Sequence, residues 1–70
     1  MYAKSNHGLG YKEYVYLQQI GANDFLILND CGDVLFDEFL YKKGEIKEFE
    51  EWELEPLNEK DFSLIKEIKE

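Results

Sequence analysis

The chain has 70 residues, of which 44% are hydrophobic and 16% aromatic, a composition typical of one small folded domain. Sixteen Asp and Glu stand against eight Lys and no Arg, which gives a formal net charge of −8. Because Arg and a positive surface are the usual means of binding phosphate groups, this balance argues against direct contact with nucleic acid or an anionic membrane. The longest apolar run, residues 25–28, is too short to span a bilayer.

Cys31 is the one cysteine of the sequence, so neither an intramolecular disulfide nor a zinc site of several thiolates is expected. The first ten residues are polar and contain no apolar signal region. Together these features predict a reducing, cytoplasmic location.

The first half of the chain predicts two strands. Residues 1–10 contain two glycines and no periodic pattern, which predicts a flexible N-terminal leader followed by a single small domain over residues 11–70. The run from Tyr11 to Ile20 is rich in aromatic and β-branched residues, as strands are. The fully apolar run at residues 25–28 predicts a central strand that is buried on both faces.

Turns and a third strand are predicted next. The stretch from Asn29 to Asp33 predicts a tight reversal in which Gly32 supplies a positive φ. Val34 to Tyr41 is the predicted third strand, and residues 42–44 predict another turn.

The densest charge lies between Glu45 and Glu55, where six carboxylates and one lysine alternate with apolar residues. Ile46, Phe49 and Trp52 fall at a spacing of three, which fits a helix. Ile46, Trp52 and Leu54 share one parity, which fits a strand with Phe49 out of phase at a bulge. A helix would stack Glu51 over Glu55, and like charges at that spacing are destabilising. The strand is therefore the preferred interpretation.

Asn58 is a good N-cap, and Glu59 and Asp61 place negative charge in the first turn of a helix predicted over residues 59–69. So short a helix must lie on the sheet. The predicted fold class is α+β, a small antiparallel β-meander of three to four strands closed by one C-terminal α-helix. The alternative is a small SH3-like barrel with a terminal helix. The predicted core comprises Phe25, Ile27, Val34, Phe36, Trp52, Phe62, Ile65 and Ile68.

No pattern in the sequence specifies a reaction, so no catalytic residue, cofactor or metal ion is predicted, and the protein is not expected to be an enzyme. Asp30, Asp33 and Asp37 lack the spacing of a calcium loop and are explained by turn chemistry. His7 and Cys31 would need a third, orienting group to form a catalytic pair.

The acidic segment carries the main functional hypothesis. In an extended chain, Glu51, Glu53 and Glu55 project from one face roughly 6.5 Å apart, an interval comparable to that between phosphates along a nucleic-acid strand. In size and charge the chain resembles small acidic inhibitors of nucleic-acid enzymes, such as those made by phages and mobile elements. The hypothesis is a protein that inhibits or regulates a basic, nucleic-acid-binding partner by mimicking DNA. The predicted partner-binding residues are Glu48, Glu50, Glu51, Glu53 and Glu55, with Asp37 and Glu38 as extensions.

Other hypotheses remain open. Tyr14, Tyr16 and Trp52 could form the aromatic groove of an SH3-like peptide-binding module, and an enzyme fragment or subunit is a third hypothesis. The carboxylates could instead serve solubility or protect an edge strand from aggregation. Apolar residues on both faces of the sheet also predict a symmetric homodimer.

Overall fold

A computed structural model describes residues 1–6, 9, 13–33 and 38–69, with the backbone alone at residues 33, 38–40 and 69. Its elements in chain order are the strands β1 (Tyr2–Ser5), β2 (Val15–Gln19), β3 (Asp24–Ile27), β4 (Cys31–Asp33), β5 (Glu38–Tyr41) and β6 (Ile46–Glu48), a 3-10 helix (Glu51–Glu53) and the helix α1 (Glu59–Lys69). The predicted α+β fold class, an antiparallel sheet with one C-terminal helix, is confirmed.

Four strands form one antiparallel sheet in the order β1-β2-β3-β6, and β4 pairs with β5 in a separate two-stranded sheet. The first three strands follow one another as in a meander. The apolar strand β3 lies between β2 and β6, which confirms the prediction of a central strand. Within the described residues β1 and β6 are the two margins of an open sheet, so the four strands do not close into the alternative barrel.

The main hydrophobic core lies on one face of this sheet. Because successive side chains of a strand point to opposite faces, alternate residues contribute to it. The buried cluster consists of Ala3, Val15, Leu17, Phe25, Ile27 and Phe49, and Leu9, Cys31, Tyr41 and Leu54 pack against it. The β4–β5 pair thus covers this face through Cys31 and Tyr41. The burial predicted for Phe25 and Ile27 is confirmed.

Helix α1 lies on the opposite face. Lys4 and Tyr16 are cross-strand partners on that face, and both contact the Asp61 carboxylate at the start of the helix. Ile65, one helical turn later, is 4% exposed. The sheet is therefore covered on one side by β4 and β5 and on the other by the helix.

The first strand was not expected from the sequence. Residues 1–10 were predicted to be a flexible leader, yet Tyr2–Ser5 forms β1 and pairs with Val15–Gln18 of β2. The side chains of Ala3 and Ser5 are buried. This strand is stabilised by its neighbour rather than by local propensity, which is why its own sequence gives little sign of it.

The predicted reversal at Asn29 to Asp33 is also wrong in part. Cys31–Asp33 forms β4, and Gly32 pairs with Phe39 of β5. The connection between the two strands falls at residues 34–37, outside the described residues. The turn predicted at residues 42–44 is present, and Gly44 has a φ of 93°, a value that glycine adopts without the steric cost of a Cβ.

The predicted core needs two corrections. Trp52 and Phe62 are 72% and 54% exposed, although both were expected to be buried. Helix α1 directs Asp61 and Ile65 at the sheet, so Phe62, one position after Asp61, lies toward its side. Ile68 is half-buried, and the predicted core positions Val34 and Phe36 lie outside the described residues.

Candidate functional site

The acidic segment is extended at both ends and turns in the middle. Ile46–Glu48 forms β6, whereas Glu51–Glu53 turns into a 3-10 helix. The Glu50 N–H donates a 2.6 Å hydrogen bond to Oε2 of Glu53, and the Glu53 N–H in turn donates to the Glu50 carbonyl at 2.9 Å. These reciprocal bonds stabilise the turn, so the extended conformation predicted through residues 50–55 is wrong there. The regular spacing expected of Glu51, Glu53 and Glu55 is absent as well.

The predicted partner-binding carboxylates fall into two groups. Glu48, Glu50 and Glu51 are exposed, and so is Glu45, which the sequence did not single out. We call these four residues the acidic patch. Glu53 and Glu55 are half-buried and belong more to the scaffold than to the surface. Asp37 and the side chain of Glu38, the predicted extensions, lie outside the described part of the chain.

Glu55 helps to hold the sheet. Its N–H donates to the Lys4 carbonyl at 2.8 Å, and its own carbonyl accepts from the Lys4 N–H at 3.4 Å. These bonds form an isolated bridge on the outer side of β1.

Two large apolar side chains accompany the acidic patch. Trp52 follows Glu51 directly and is 72% exposed, and Ile46 on β6 is 59% exposed. Lys47 is the one lysine of the segment, and its ammonium lies 5.5 Å from the centroid of the Tyr41 ring. The surface is thus a negative patch that also contains exposed apolar groups.

A cleft of about 240 Å³ opens beside the 3-10 helix. Glu51 lines it together with the polar residues Gln19 and Asn23 and with apolar residues that include Met1, Phe25, Phe49 and Leu54. A long basic side chain suits such a place, because its methylene stem can lie on apolar groups while its charged end meets a carboxylate.

The aromatic residues of the alternative hypothesis are engaged inside the protein. The Tyr16 hydroxyl donates to Oδ1 of Asp61 at 3.0 Å, and the Lys4 ammonium lies 4.5 Å from the centroid of the Tyr14 ring. Burial, followed by the hydrogen bond to Asp61, raises the pKa of Tyr16 to about 12. These contacts tie both rings to the helix-docking region, so they do not supply an open groove together with Trp52.

Asp61 is the centre of that region. Burial acts to raise the pKa of its carboxyl, but hydrogen bonds from Lys4, Asn58 and Tyr16 outweigh it and lower the pKa below the ordinary value. The Asn58 N–H donates to Asp61 Oδ2, and the Asp61 N–H donates to Asn58 Oδ1. The predicted N-cap at Asn58 is therefore confirmed, as part of a reciprocal cap.

The Cys31 thiol has a structural role, because it forms hydrogen bonds within the protein. Its thiol donates to the Tyr14 carbonyl at 3.0 Å and accepts from the Asn29 amide at 3.2 Å. Burial and the nearby Glu13 charge raise the pKa of this thiol, which favours the protonated, weakly nucleophilic form. Asp30 accepts a bond from the Lys43 N–H at 2.7 Å, so it contacts the turn at residues 42–44 rather than a turn of its own. His7 lies outside the described residues.

Comparison of the chain with protein-family models, with curated proteins and with solved structures found no match. Within the described residues, no helix is long and apolar enough to cross a membrane. In that same part of the chain, no three His, Cys, Asp or Glu side chains are grouped so that they could hold a metal ion.

Proposed function

We propose that this protein is a small binding protein whose acidic patch recognises a positively charged partner and inhibits or regulates it. The observation that carries the proposal is the exposure of Trp52 directly beside the exposed carboxylates Glu50 and Glu51. Tryptophan is enriched among the residues that dominate binding energy at protein interfaces. Carboxylates around it would select a basic partner and speed its approach.

The partner class that best fits the charge is a nucleic-acid-binding protein, since such proteins carry basic grooves. Occupation of that groove by the acidic patch would exclude the nucleic acid. This mode of partner binding differs from the one expected from the sequence. The exposed carboxylates lie along β6 and the 3-10 turn that follows it, and Trp52 takes part as an apolar contact. Imitation of evenly spaced phosphates is not required.

In the test, an extract of the native host is passed over DNA-cellulose, and the proteins that remain bound are used. The purified protein should elute a subset of them at low ionic strength, and each eluted protein is then purified and its affinity measured. Elution should weaken as salt rises, because exposed charges are screened beyond a Debye length of about 10 Å at 0.1 M salt.

A matched pair of variants separates a specific patch from net charge. Glu48→Gln with Glu51→Gln removes two patch charges, whereas Glu59→Gln with Glu67→Gln removes two exposed charges from α1. Only the first pair should lose elution and affinity, and Trp52→Ala should lose affinity while it remains folded. Equal behaviour of the two pairs, or no elution by the wild-type protein, would show that the proposal is wrong.

A further inference from the structure

Strand β6 is a margin of the four-stranded sheet, and its three side chains, Ile46 to Glu48, are all exposed. In an antiparallel pair, successive residues alternate between bonding to the neighbouring strand and pointing away from it. The direction of the backbone groups on β6 therefore follows from its register with β3.

That register is fixed by bonds on both sides of β6. The Ile27 N–H donates to the Glu45 carbonyl at 2.8 Å, and the Phe49 N–H donates to the Asn23 carbonyl at 2.9 Å. Lys47, midway between Glu45 and Phe49, pairs with Phe25 and by the same alternation bonds toward β3. The N–H and C=O groups of Ile46 and Glu48 consequently point to the outer side of the sheet.

The two marginal strands of the sheet differ in the backbone pairing of their outer sides. On β1, Glu55 bonds to both backbone groups of Lys4 and so occupies part of the outer side. On β6, no described residue pairs with the outer side. An unpaired margin is a template for another extended chain, and many domains bind peptides by adding a strand there.

We propose that the outer margin of β6 binds an extended segment of the basic partner as an added strand. This inference rests on the proposed function and specifies how the partner is held. Charge favours a basic occupant, because four exposed carboxylates, Glu45, Glu48, Glu50 and Glu51, lie on β6 or close to it in sequence, against the exposed lysines Lys42, Lys43 and Lys47. A second copy would bring the same carboxylates and a second net charge of −8, so a basic segment is the better occupant.

The side chains of β6 specify a sequence for that segment. Ile46 and Glu48 lie on the same face as Leu26 and Asp24, their partners on β3, and Lys47 lies on the other face. Cross-strand pairs favour an apolar residue opposite Ile46, Lys or Arg opposite Glu48 and a residue without positive charge opposite Lys47. An antiparallel strand would therefore read basic–x–apolar from its N-terminus to its C-terminus.

The experiment uses short synthetic peptides with blocked ends that contain Lys-Thr-Val, and the reversed order Val-Thr-Lys as a control of equal charge. In two further peptides alternate backbone amides are N-methylated, the odd-numbered amides in one peptide and the even-numbered amides in the other. Only the peptide whose methylated amides would face β6 should lose strand addition. Affinity is measured by calorimetry, and amide hydrogen exchange is followed at Ile46 and Glu48. Binding of the Lys-Thr-Val peptide should slow exchange at these two amides and should be lost on N-methylation in one register.

Two variants of the protein complete the test. Ile46→Pro removes an outward-pointing N–H at the first position of the strand, where proline is tolerated, and Ile46→Thr keeps that N–H while it shortens the side chain. Ile46→Pro should weaken peptide binding about tenfold relative to Ile46→Thr, as expected for the loss of one hydrogen bond. The reversed peptide should bind more weakly than Lys-Thr-Val.

The outcomes separate this inference from the proposed function. If Glu48→Gln with Glu51→Gln loses binding while Ile46→Pro and both N-methylated peptides bind normally, the partner is held by charge and the added strand is wrong. If the peptide does not bind, the inference fails whatever the DNA-cellulose experiment shows. Dimerisation of the wild type that Ile46→Pro abolishes would also overturn it, because a second copy would then occupy the margin.

Discussion

The Lys4 ammonium lies 2.7 Å from the Asp61 carboxylate and joins the first strand to the C-terminal helix, 57 positions away in the chain. The two side chains are 12% and 7% exposed. Asp61 also accepts bonds from the Tyr16 hydroxyl and the Asn58 N–H, so one carboxylate caps the helix and fastens it to two strands. A buried acceptor with three partners is costly to remove, because each partner would lose its bond.

Asp61→Asn should therefore destabilise the fold by about 3–5 kcal/mol near neutral pH, as expected when one member of a buried pair is removed. Denaturation followed by circular dichroism measures this change. Lys4→Met should be destabilising too, while Glu59→Gln, on the exposed side of the same helical turn, should change stability little. Wild-type stability in Asp61→Asn would show that the pair does not hold the helix.

The stabilisation by this pair should depend on pH at both extremes. The Lys4 hydrogen bond leads the effects that lower the pKa of Asp61, and the same bond raises the pKa of Lys4. The contribution is then complete between about pH 4 and pH 10, the ordinary pKa values of the two groups. It is lost as the pH falls through the lowered pKa of Asp61, or rises through the raised pKa of Lys4. The stability difference between wild type and Asp61→Asn should narrow below about pH 4, and a constant difference would contradict this assignment.

Tyr16 should ionise later than an exposed tyrosine. Burial and the bond to Asp61 raise its pKa to about 12, against about 10 for an unfolded chain. Since the folded state holds this proton more tightly, stability should be unaffected below about pH 10 and should fall as the pH rises toward 12. Burial raises the pKa of Tyr41 as well, so ultraviolet titration of tyrosinate should show late ionisation that Tyr16→Phe reduces but does not abolish, and the variant should lose less stability over this range.

Two neighbouring helix positions should respond differently to truncation. Ile65 is 4% exposed and Phe62 is 54% exposed. Ile65→Ala should cost about 2–5 kcal/mol, the usual range for a buried aliphatic residue. Phe62→Ala should cost about 1 kcal/mol or less, in contrast with the large loss that a buried aromatic would give. Urea denaturation of both variants measures the difference, and a greater loss for Phe62→Ala would mean that the helix is rotated.

Self-association stays a prediction. Exposed apolar residues such as Ile20, Ile46 and Trp52 would bury area in a homodimer, while a net charge of −8 on each copy opposes it. Dimerisation should therefore strengthen with salt, whereas binding to a basic partner should weaken. Sedimentation equilibrium at low and high ionic strength distinguishes the two behaviours, and a monomer at high concentration in both would exclude the homodimer.

The elements with strong local signals were predicted well. The helix spans Glu59–Lys69, within the range expected, because its N-cap and first-turn charges lie next to each other in the chain. Strand β2 falls inside a run whose composition already favours extended structure, and β3 overlaps the apolar run at residues 25–28 with a shift of one residue. Strand β1 lacks such a run and depends on pairing with β2, which no local pattern reveals.

The rotation of α1 about its axis and the conformation of residues 50–53 could not be predicted from the sequence and depend on tertiary contacts. The apolar spacing of α1 fits several rotations of the helix, and the buried contacts of Asp61 select the one that leaves Phe62 exposed. In the same way, burial of Phe49 and the reciprocal bonds of Glu50 and Glu53 produce a turn where parity favoured a strand.

Some features of the candidate site could likewise be predicted from the sequence, and others depend on the tertiary structure. Composition establishes that the protein is acidic, and the order of residues shows that its charge is concentrated between Glu45 and Glu55. Tertiary structure decided which carboxylates reach solvent, that Trp52 accompanies them, and that the outer side of β6 is unpaired among the described residues. Exposure and backbone pairing arise from contacts between residues far apart in the chain, and local sequence patterns do not encode those contacts.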